Sequence, residues 1–95
     1  MIPESFIERL KDACDIEQTI SYYVPLKRHG RLLKGLCPFH SEKTPSFTVY
    51  TDGQQHFYCF GCQKGGDVIT FVREIEHLEY VEAVRLLAQR AGLPM

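Results

Sequence analysis

Four side chains that bind soft metal ions occur in this chain as two close pairs. Cys37 and His40 stand three positions apart, and Cys59 and Cys62 repeat that spacing. Such a spacing lets a tight turn direct both side chains of a pair toward one tetrahedral ion. Residues 41–58 separate the pairs, which is enough chain for a hairpin to bring them together. We therefore predict one structural zinc ion held by these four residues.

A catalytic zinc and a redox dithiol are the alternatives to a structural site. Catalytic zinc usually keeps three protein ligands and an open position, whereas four ligands here fill the shell. Glu42 is the nearest acid, and a lone acid in a charged turn is expected to be solvated. A redox pair at Cys59 and Cys62 needs a βαβ setting, which the pattern lacks. With no nucleophile–base pair, phosphate loop or acidic cluster in its sequence, the chain is not expected to be an enzyme by itself.

The remaining histidines and the remaining cysteine are assigned to the surface and the core. His56 is the rival ligand because it lies three residues before Cys59. Positions three apart on a strand point to opposite faces, so we expect His56 at the sheet surface. Cys14 has no cysteine partner nearby and is expected to be a small core residue. His29 and His77 are expected in a turn and on the surface.

The sheet that must position the ligand pairs is predicted over residues 26–59. His29-Gly30 predicts a tight turn, and Asp52-Gly53 between alternating runs predicts a hairpin. Gly61 is expected to supply a positive φ in the second ligand turn. Along the hairpin, buried and outward positions should alternate. The buried set is Phe47, Val49, Phe57 and Cys59, and the outward set is Thr48, Tyr50, His56 and Tyr58.

Helices are predicted on both sides of this sheet. Ser5 and Glu8 are spaced like a capping box near the start of the first helix. Asp15 and Asp67 are good N-cap residues for a second and a third helix. A fourth helix is expected to end at Gly92. The pattern predicts an α+β fold with a small antiparallel sheet and flanking helices at both ends.

Length and composition indicate one small domain over residues 1–95. With 44% hydrophobic and 24% charged residues, the composition is that of an ordinary soluble globular domain. A core of this size is modest, so a metal ion would contribute a large share of the stability. No apolar run approaches the roughly 20 residues that cross a bilayer, and the acidic first segment is not a signal peptide. We expect a cytoplasmic protein without a membrane partner, in which stable disulfides are rare.

Two motifs carry a resemblance to a known family. CPFHSEKTPSF, residues 37–47, and HFYCFGCQKGGDVITFV, residues 56–72, resemble the N-terminal zinc-binding domain of bacterial DNA primase. The similarity extends over essentially the whole chain. It implies a zinc ribbon, with the metal at one end of an antiparallel sheet, and the same four ligands. It also implies that the chain is the N-terminal fragment of a longer primase.

The resemblance implies a role in DNA replication, within the primosome. The parent enzyme is a nucleotidyltransferase that makes short RNA primers on single-stranded DNA, and its zinc domain is thought to help recognise the initiation site and start the primer. The implied partners are the template, a TOPRIM-type polymerase domain reached in cis or in trans, and the replicative helicase through the full-length protein. Arg31 and Lys43 match basic positions of the family. Leu33 stands where many members have an aromatic, and Gln63 stands where a glycine often follows the second ligand turn.

Seven side chains are candidates for contact with single-stranded DNA. Such sites combine a basic groove with aromatic rings on which bases stack. Residues 24–50 hold five basic side chains against Glu42 alone, while residues 1–23 and 67–95 are acidic. That pattern suits a face for a polyanion, although a solvated basic surface would produce it too. The candidates are Arg28, Arg31, Lys34, Lys43, Tyr50, His56 and Tyr58.

Two other interpretations stay open on the residues alone. One is an interaction module that docks on the polymerase domain and touches DNA little. Its acidic helices would then be the working surface. The other is a primase-like protein of a phage or mobile element, in which the same ribbon is joined to a helicase or another partner.

Overall fold

A five-stranded antiparallel meander with helices before and after it forms the fold, in a computed structural model that describes residues 2–95. The elements follow as α1 (Glu4–Ala13), α2 (Ile16–Ser21), β1 (Lys27–His29), β2 (Leu32–Gly35), β3 (Phe47–Tyr50), β4 (His56–Cys59), β5 (Gly65–Gly66), α3 (Val68–Glu76) and α4 (Tyr80–Ala91). The strands lie in the order β1-β2-β3-β4-β5. This confirms the predicted α+β class. None of the helices in residues 2–95 is long and apolar enough to cross a membrane.

The core lies between the inner face of the sheet and the helices. Its centre is a cluster of aromatic rings in which Phe71 of α3 packs 5.4 Å from Phe57 and 6.1 Å from Phe47, measured between ring centroids. Phe39, from the first ligand turn, lies 5.5 Å from Phe71. The turn that carries two ligands is therefore packed directly against the core. The predicted alternation is confirmed except at Thr48, which is only 1% exposed.

The exception at Thr48 follows from the register of the strands. Thr48 lies on the outward face, opposite Lys34 of β2 and Tyr58 of β4. Long side chains stand on both sides of a short one, so they cover it. Burial at this position therefore does not mean that the outward face is part of the core.

The connections between strands differ in length from one hairpin to the next. Gly30, with φ of 65°, turns β1 into β2 as the sequence predicts. Residues 51–55 join β3 to β4 in the predicted hairpin, with Gly53 at φ of 64°. The loop ends on a contact with α2, because the Gln55 side-chain oxygen accepts the Ile16 backbone N–H at 3.2 Å.

The predicted helix boundaries are confirmed at three positions. Asp15 accepts the Gln18 backbone N–H at 2.9 Å, and Asp67 accepts the Thr70 backbone N–H at 2.9 Å. Both are therefore N-caps. Gly92 adopts φ of 73° directly after α4 and ends it.

Two local predictions about the ends of elements are wrong. The first helix begins at Glu4, with Pro3 at the N-cap and no side-chain cap, so Ser5 and Glu8 do not form a capping box. The second difference is β5, which pairs Gly65–Gly66 with β4 and so extends the sheet beyond the predicted residues 26–59. A two-residue strand of glycines has no side-chain alternation from which it could be predicted.

Candidate metal centre and nucleic-acid interface

Three neighbouring strands bring the two ligand pairs to the same end of the sheet. Cys37 and His40 lie in the turn after β2, and Cys59 is the last residue of β4. Cys62 lies in the hairpin turn between β4 and β5, which is closed by the Gln63 N–H donating to the Cys59 carbonyl at 2.8 Å. The four ligand atoms all lie within 4.8 Å of one another. Cys37 and Cys59 are buried, while His40 and Cys62 are half-buried.

The distances within this cluster fit a tetrahedral ion. The Sγ atoms of Cys37 and Cys62 are 3.8 Å apart, and Cys59 Sγ is 3.9 Å from His40 Nδ1. Zinc–sulfur bonds of about 2.3 Å in tetrahedral geometry place two sulfurs about 3.8 Å apart. The cysteines are free thiols, so no disulfide competes for them. Three thiols and one imidazole at these distances indicate one structural zinc ion.

Backbone amides in both ligand turns point at the sulfur atoms. The Phe39 N–H donates to Cys37 Sγ at 3.4 Å. In the second turn, the N–H groups of Gly61 and Cys62 donate to Cys59 Sγ at 3.4 and 3.5 Å. These bonds favour thiolates, which are the metal-binding form of cysteine. They are the pattern that the Cys-x-x-His and Cys-x-x-Cys spacings predict.

The thiols of the cluster differ in how readily they ionise. Burial raises the pKa of Cys37 to about 12, and the neighbouring thiols of Cys59 and Cys62 add to the rise. Burial also raises the pKa of Cys59, but the backbone N–H of Cys62 and the hydroxyl of Ser46 outweigh it and hold that pKa below its usual value. A cation among the sulfurs favours their thiolate forms. A bound cation would thus stabilise the close packing of these thiols.

Glycine at position 61 has a different role from the one predicted. The residue with the left-handed backbone in this turn is Gln63, at φ of 66°, and not Gly61. A Cβ on Gly61 would lie 2.8 Å from His40 Nε2 and 3.0 Å from Ser46 Oγ. Gly61 is therefore needed because the two ligand turns approach each other closely there. The left-handed φ of Gln63 is a conformation that glycine adopts most easily.

Glu42 is not a solvated acid, contrary to the prediction from the sequence. Its side chain is only 10% exposed and lies beside the cluster. One oxygen accepts the backbone N–H groups of Cys37 at 2.8 Å and Ser46 at 3.2 Å. The other lies 3.1 Å from His40 Nε2 and accepts the Ser46 hydroxyl.

The hydrogen bonds around Glu42 keep its carboxyl ionised. The Ser46 hydroxyl and then the Cys37 N–H lower its pKa to about 2. A signal for this role is present in the sequence, since a metal-binding histidine usually needs a carboxylate or carbonyl on its second nitrogen. Glu42 lies two residues after His40.

The outward face of the sheet gathers four of the seven candidates for DNA contact. Lys34 and Tyr58 lie in one cross-strand row, on either side of Thr48. Tyr50 and His56 lie opposite each other in the next row, with their rings stacked at 4.4 Å between centroids. The basic and aromatic candidates of these strands therefore share a surface, as predicted for His56 and the two tyrosines.

The other three candidates lie elsewhere. Arg31 is exposed in the β1–β2 turn, and Lys43 is exposed in the loop before β3. Arg28 points to the opposite face, because it pairs in register with the buried Leu33. Its guanidinium lies 3.4 Å from the Glu17 carboxylate of α2. None of the ion pairs within residues 2–95 includes Arg31, Lys34 or Lys43.

Two residues of the outward surface were not among the candidates. Lys27 is exposed and lies directly opposite Lys34 in the register. Phe60 is 63% exposed, and its ring contacts that of Tyr58 edge-on at 4.9 Å. The basic segment contained Lys27, but only the strand register shows that it shares a row with Lys34. Leu33 is 3% exposed, so an aromatic at that position would lie in the core and could not stack on a base.

Comparison with known proteins gives one matching family model. Residues 2–95 match the model described as the CHC2 zinc finger. The DNA primase of Geobacillus stearothermophilus is 50% identical over 94 residues, which is 99% of this chain and 16% of the relative. The DNA primase of Mycolicibacterium smegmatis is 51% identical over 92 residues, which is 96% of this chain and 14% of the relative. The chain thus spans only a small part of the length of the curated relatives it matches.

A solved structure has the same fold. A crystal structure of the Aquifex aeolicus primase, comprising zinc binding and RNA polymerase domains, superimposes with a TM-score of 0.89 at 42% sequence identity. The match covers 95% of this chain and 22% of that one.

Proposed function

The chain belongs to the CHC2 zinc finger family, as a zinc-binding domain of the DNA primase type, and we propose that it binds single-stranded template DNA and supports the start of an RNA primer. In this proposal it helps to recognise the initiation site, and a polymerase domain of the same longer protein performs the nucleotidyl transfer. The observation that carries the proposal is the outward sheet face, where cations without an ion pair lie beside half-buried and exposed aromatic rings.

The charges on this face favour an anionic ligand. Lys27 and Lys34 lie directly opposite each other, and like charges in cross-strand pairs reduce the stability of a sheet. A phosphate between the two ammonium groups would turn that repulsion into attraction. Arg31 is exposed in the turn that joins the same two strands. The β1–β2 hairpin therefore offers several cations to a nucleic-acid backbone without a competing ion pair at any of these three residues.

The aromatic rings on the face are suited to unpaired bases. Tyr50 and His56 form one stacked pair, and Tyr58 and Phe60 form an edge-on pair. The Tyr58 row lies two residues along the strands from the Tyr50 row, or about 6.7 Å. Each pair is thus a separate platform, and bases of a single strand can stack where those of a duplex cannot. We propose that the template crosses the sheet over both platforms.

The proposed partners follow from the relatives. The Aquifex aeolicus primase carries RNA polymerase domains together with its zinc binding domain, which supports a polymerase domain as the first partner, acting in cis or in trans. We propose contact with the replicative helicase through the full-length protein, and a cytoplasmic location. In this scheme residues 1–95 are one domain of a longer primase, and the zinc-bound residues Cys37, His40, Cys59 and Cys62 hold its sheet in shape.

The salt dependence of DNA binding tests the proposed interface. The chain is titrated with short single-stranded oligonucleotides at several salt concentrations, and each phosphate contact contributes about 0.7 to the slope of log affinity against log salt. Lys34→Ala, Arg31→Ala and Lys43→Ala should each reduce the slope by about one contact. Arg28→Ala should reduce it less, because Arg28 faces α2 and pairs with Glu17.

Arg85→Ala is the matched control, since Arg85 is an exposed arginine on α4, away from the sheet. It should leave both the affinity and the slope unchanged. If the lysine and arginine variants of the sheet bind DNA like the parent, the proposed interface is wrong. Salt-insensitive binding to the polymerase domain would then support the interaction module instead.

A further inference from the structure

We propose that Glu42 is a positioning residue of the metal centre, which fixes the nitrogen that His40 turns toward the thiols and joins the two ligand turns. The inference rests on the geometry around one carboxylate and is independent of DNA binding. It concerns a residue that the ligand spacing does not identify.

The contact between Glu42 and His40 determines which ring nitrogen donates a hydrogen bond. Glu42 already accepts the backbone N–H groups of Cys37 and Ser46, so it acts as the acceptor for the His40 Nε2 that lies 3.1 Å away. Nδ1, which lies 3.9 Å from Cys59 Sγ, is then the ring nitrogen left to bind a metal. Glu42 thereby selects the tautomer and ring orientation that bind a metal. Without Glu42, no partner on Nε2 favours one tautomer over the other.

The second part concerns the link between the ligand turns. Glu42 accepts the Cys37 N–H of the first turn and both the N–H and the hydroxyl of Ser46. Ser46 in turn reaches the second turn, since its Oγ lies 3.6 Å from Cys59 Sγ and its carbonyl accepts the Phe60 N–H at 3.0 Å. One carboxylate therefore connects the first turn, the start of β3 and the second turn. At 10% exposure, water competes little for these bonds.

The isosteric variant Glu42→Gln tests both parts. An amide has one acceptor oxygen where the carboxylate has two. Its NH2 group must face either the His40 Nε2–H or the backbone N–H groups of Cys37 and Ser46, so one donor opposes another in either orientation. Loss of a partner that orients a metal ligand typically lowers metal affinity about 10–100-fold. We expect that loss for zinc, measured on the full chain by competition with a chelator.

A second readout separates positioning from general stabilisation. Long-range ¹H–¹⁵N spectra of the zinc-loaded chain report which imidazole nitrogen of His40 is protonated. The parent should show one form, with zinc on Nδ1 and the proton on Nε2, and Glu42→Gln should show a displaced Nε2–H chemical shift or a second form bound through Nε2. A residue that merely stabilised the fold would leave that spectrum unchanged.

Three further variants complete the design. Ser46→Ala removes the hydroxyl link while keeping the backbone bond, and should lower zinc affinity about tenfold, the low end of the range. Glu8→Gln and Glu82→Gln are controls, since both residues are exposed acids, on α1 and α4. Both should bind zinc like the parent.

Parent-like zinc affinity or a parent-like His40 spectrum in Glu42→Gln would overturn the proposal. If Glu42→Gln does not fold, Ser46→Ala decides the question, and parent-like zinc affinity in that variant overturns the proposal as well. None of these outcomes depends on DNA, so a failure here leaves the proposed template interface standing.

Discussion

At the scale of single residues, Gly61 shows how the close approach of two ligand turns can constrain one position. Ligand spacing alone predicts Cys37, His40, Cys59 and Cys62 as a group, because a tetrahedral ion fixes how far apart ligands in a turn can stand. The prediction of a positive φ at Gly61 is wrong, because its backbone is ordinary and its missing Cβ leaves room for the His40 ring. That constraint arises between two turns, so no local pattern contains it.

Gly61→Ala should therefore weaken the metal centre. The added Cβ would approach His40 Nε2 to 2.8 Å, and backbone or ring must move to relieve the contact. We expect weaker zinc binding in a chelator competition. Gln63→Gly is the matched comparison, because it places glycine at the one left-handed residue of the turn and should be tolerated within about 1 kcal/mol. Equal zinc affinity in Gly61→Ala and the parent would contradict this account of the close approach.

At the same scale, Tyr58 should contribute to DNA binding through its ring rather than through charge. A stacked base is worth about 1–3 kcal/mol by alanine substitution. Tyr58→Ala should thus lower affinity for single-stranded oligonucleotides and leave the salt slope nearly unchanged. Tyr80→Ala removes an exposed tyrosine from α4, away from the sheet, and should have no effect on binding. Unchanged affinity in Tyr58→Ala, or an equal loss in both variants, would argue against stacking on this face.

Among the elements, those with strong end signals were predictable and those set by pairing were not. Asp15, Asp67 and Gly92 mark helix ends because an isolated side chain or a left-handed glycine satisfies backbone groups there. The face that Arg28 occupies depends on its register with Leu33, which composition cannot reveal. The length of the β3–β4 loop depends on a helix that the loop contacts 39 residues away in sequence, through Gln55 and Ile16.

The N-cap of α3 is the element whose stability can be tested most directly. Asp67 caps Thr70 and also lies 2.9 Å from the Lys11 ammonium of α1. Burial raises the pKa of its carboxyl, but the Thr70 N–H and Lys11 outweigh burial, so the pKa is lowered overall. A lowered folded-state pKa means that the carboxylate stabilises the fold above its unfolded pKa, and that this contribution is lost as pH falls through the folded pKa.

Asp67→Ala should lower the free energy of unfolding of the zinc-loaded chain by about 0.5–2 kcal/mol at pH 7. Denaturant titration measures this change. Asp67→Asn keeps the cap acceptor and loses only the exposed ion pair, so it should cost less, about 0–1 kcal/mol. Two variants of equal stability would mean that the ion pair with Lys11, and not the cap, carries the effect.

In the whole molecule, the segments that carry the metal ligands pack directly into the aromatic core. The first ligand turn carries Phe39, which packs on Phe71, while Cys59 ends a strand whose Phe57 lies in the same cluster. A single zinc ion would therefore hold together the turn that carries Phe39 and the strand that carries Phe57. Structural zinc contributes on the order of 10–16 kcal/mol in small peptides, at or above the typical stability of a whole domain.

Removal of zinc should consequently unfold the chain. Cys37→Ser and Cys62→Ser should lose the metal and cooperative melting, as measured by elemental analysis and calorimetry. Because thiols must lose protons to bind zinc, and burial raises the pKa of Cys37, acidification should release the metal as well. Cys14→Ser and His56→Ala should keep one zinc per chain. Full zinc in His40→Ala together with loss in His56→Ala would reverse the assignment of the histidine ligand.

At the largest scale, the chain should act only together with a polymerase domain. Within residues 2–95, the cysteine–histidine cluster is the one group of side chains that could hold a metal ion, and it contains no carboxylate. Nucleotidyl transfer uses magnesium held by carboxylates, so the purified chain should form no phosphodiester bonds.

Added in trans to a primase fragment that lacks this domain, the same chain should raise the rate of primer initiation on single-stranded templates. Lys34→Ala and Tyr58→Ala should raise initiation less than the parent chain, because they weaken its hold on the template while leaving zinc in place. Arg85→Ala should match the parent. Primer synthesis by the chain alone, freed of contaminating polymerase, would refute the division of labour. Full stimulation by the Lys34 and Tyr58 variants would instead move the domain's role from the template to the surface of the polymerase domain.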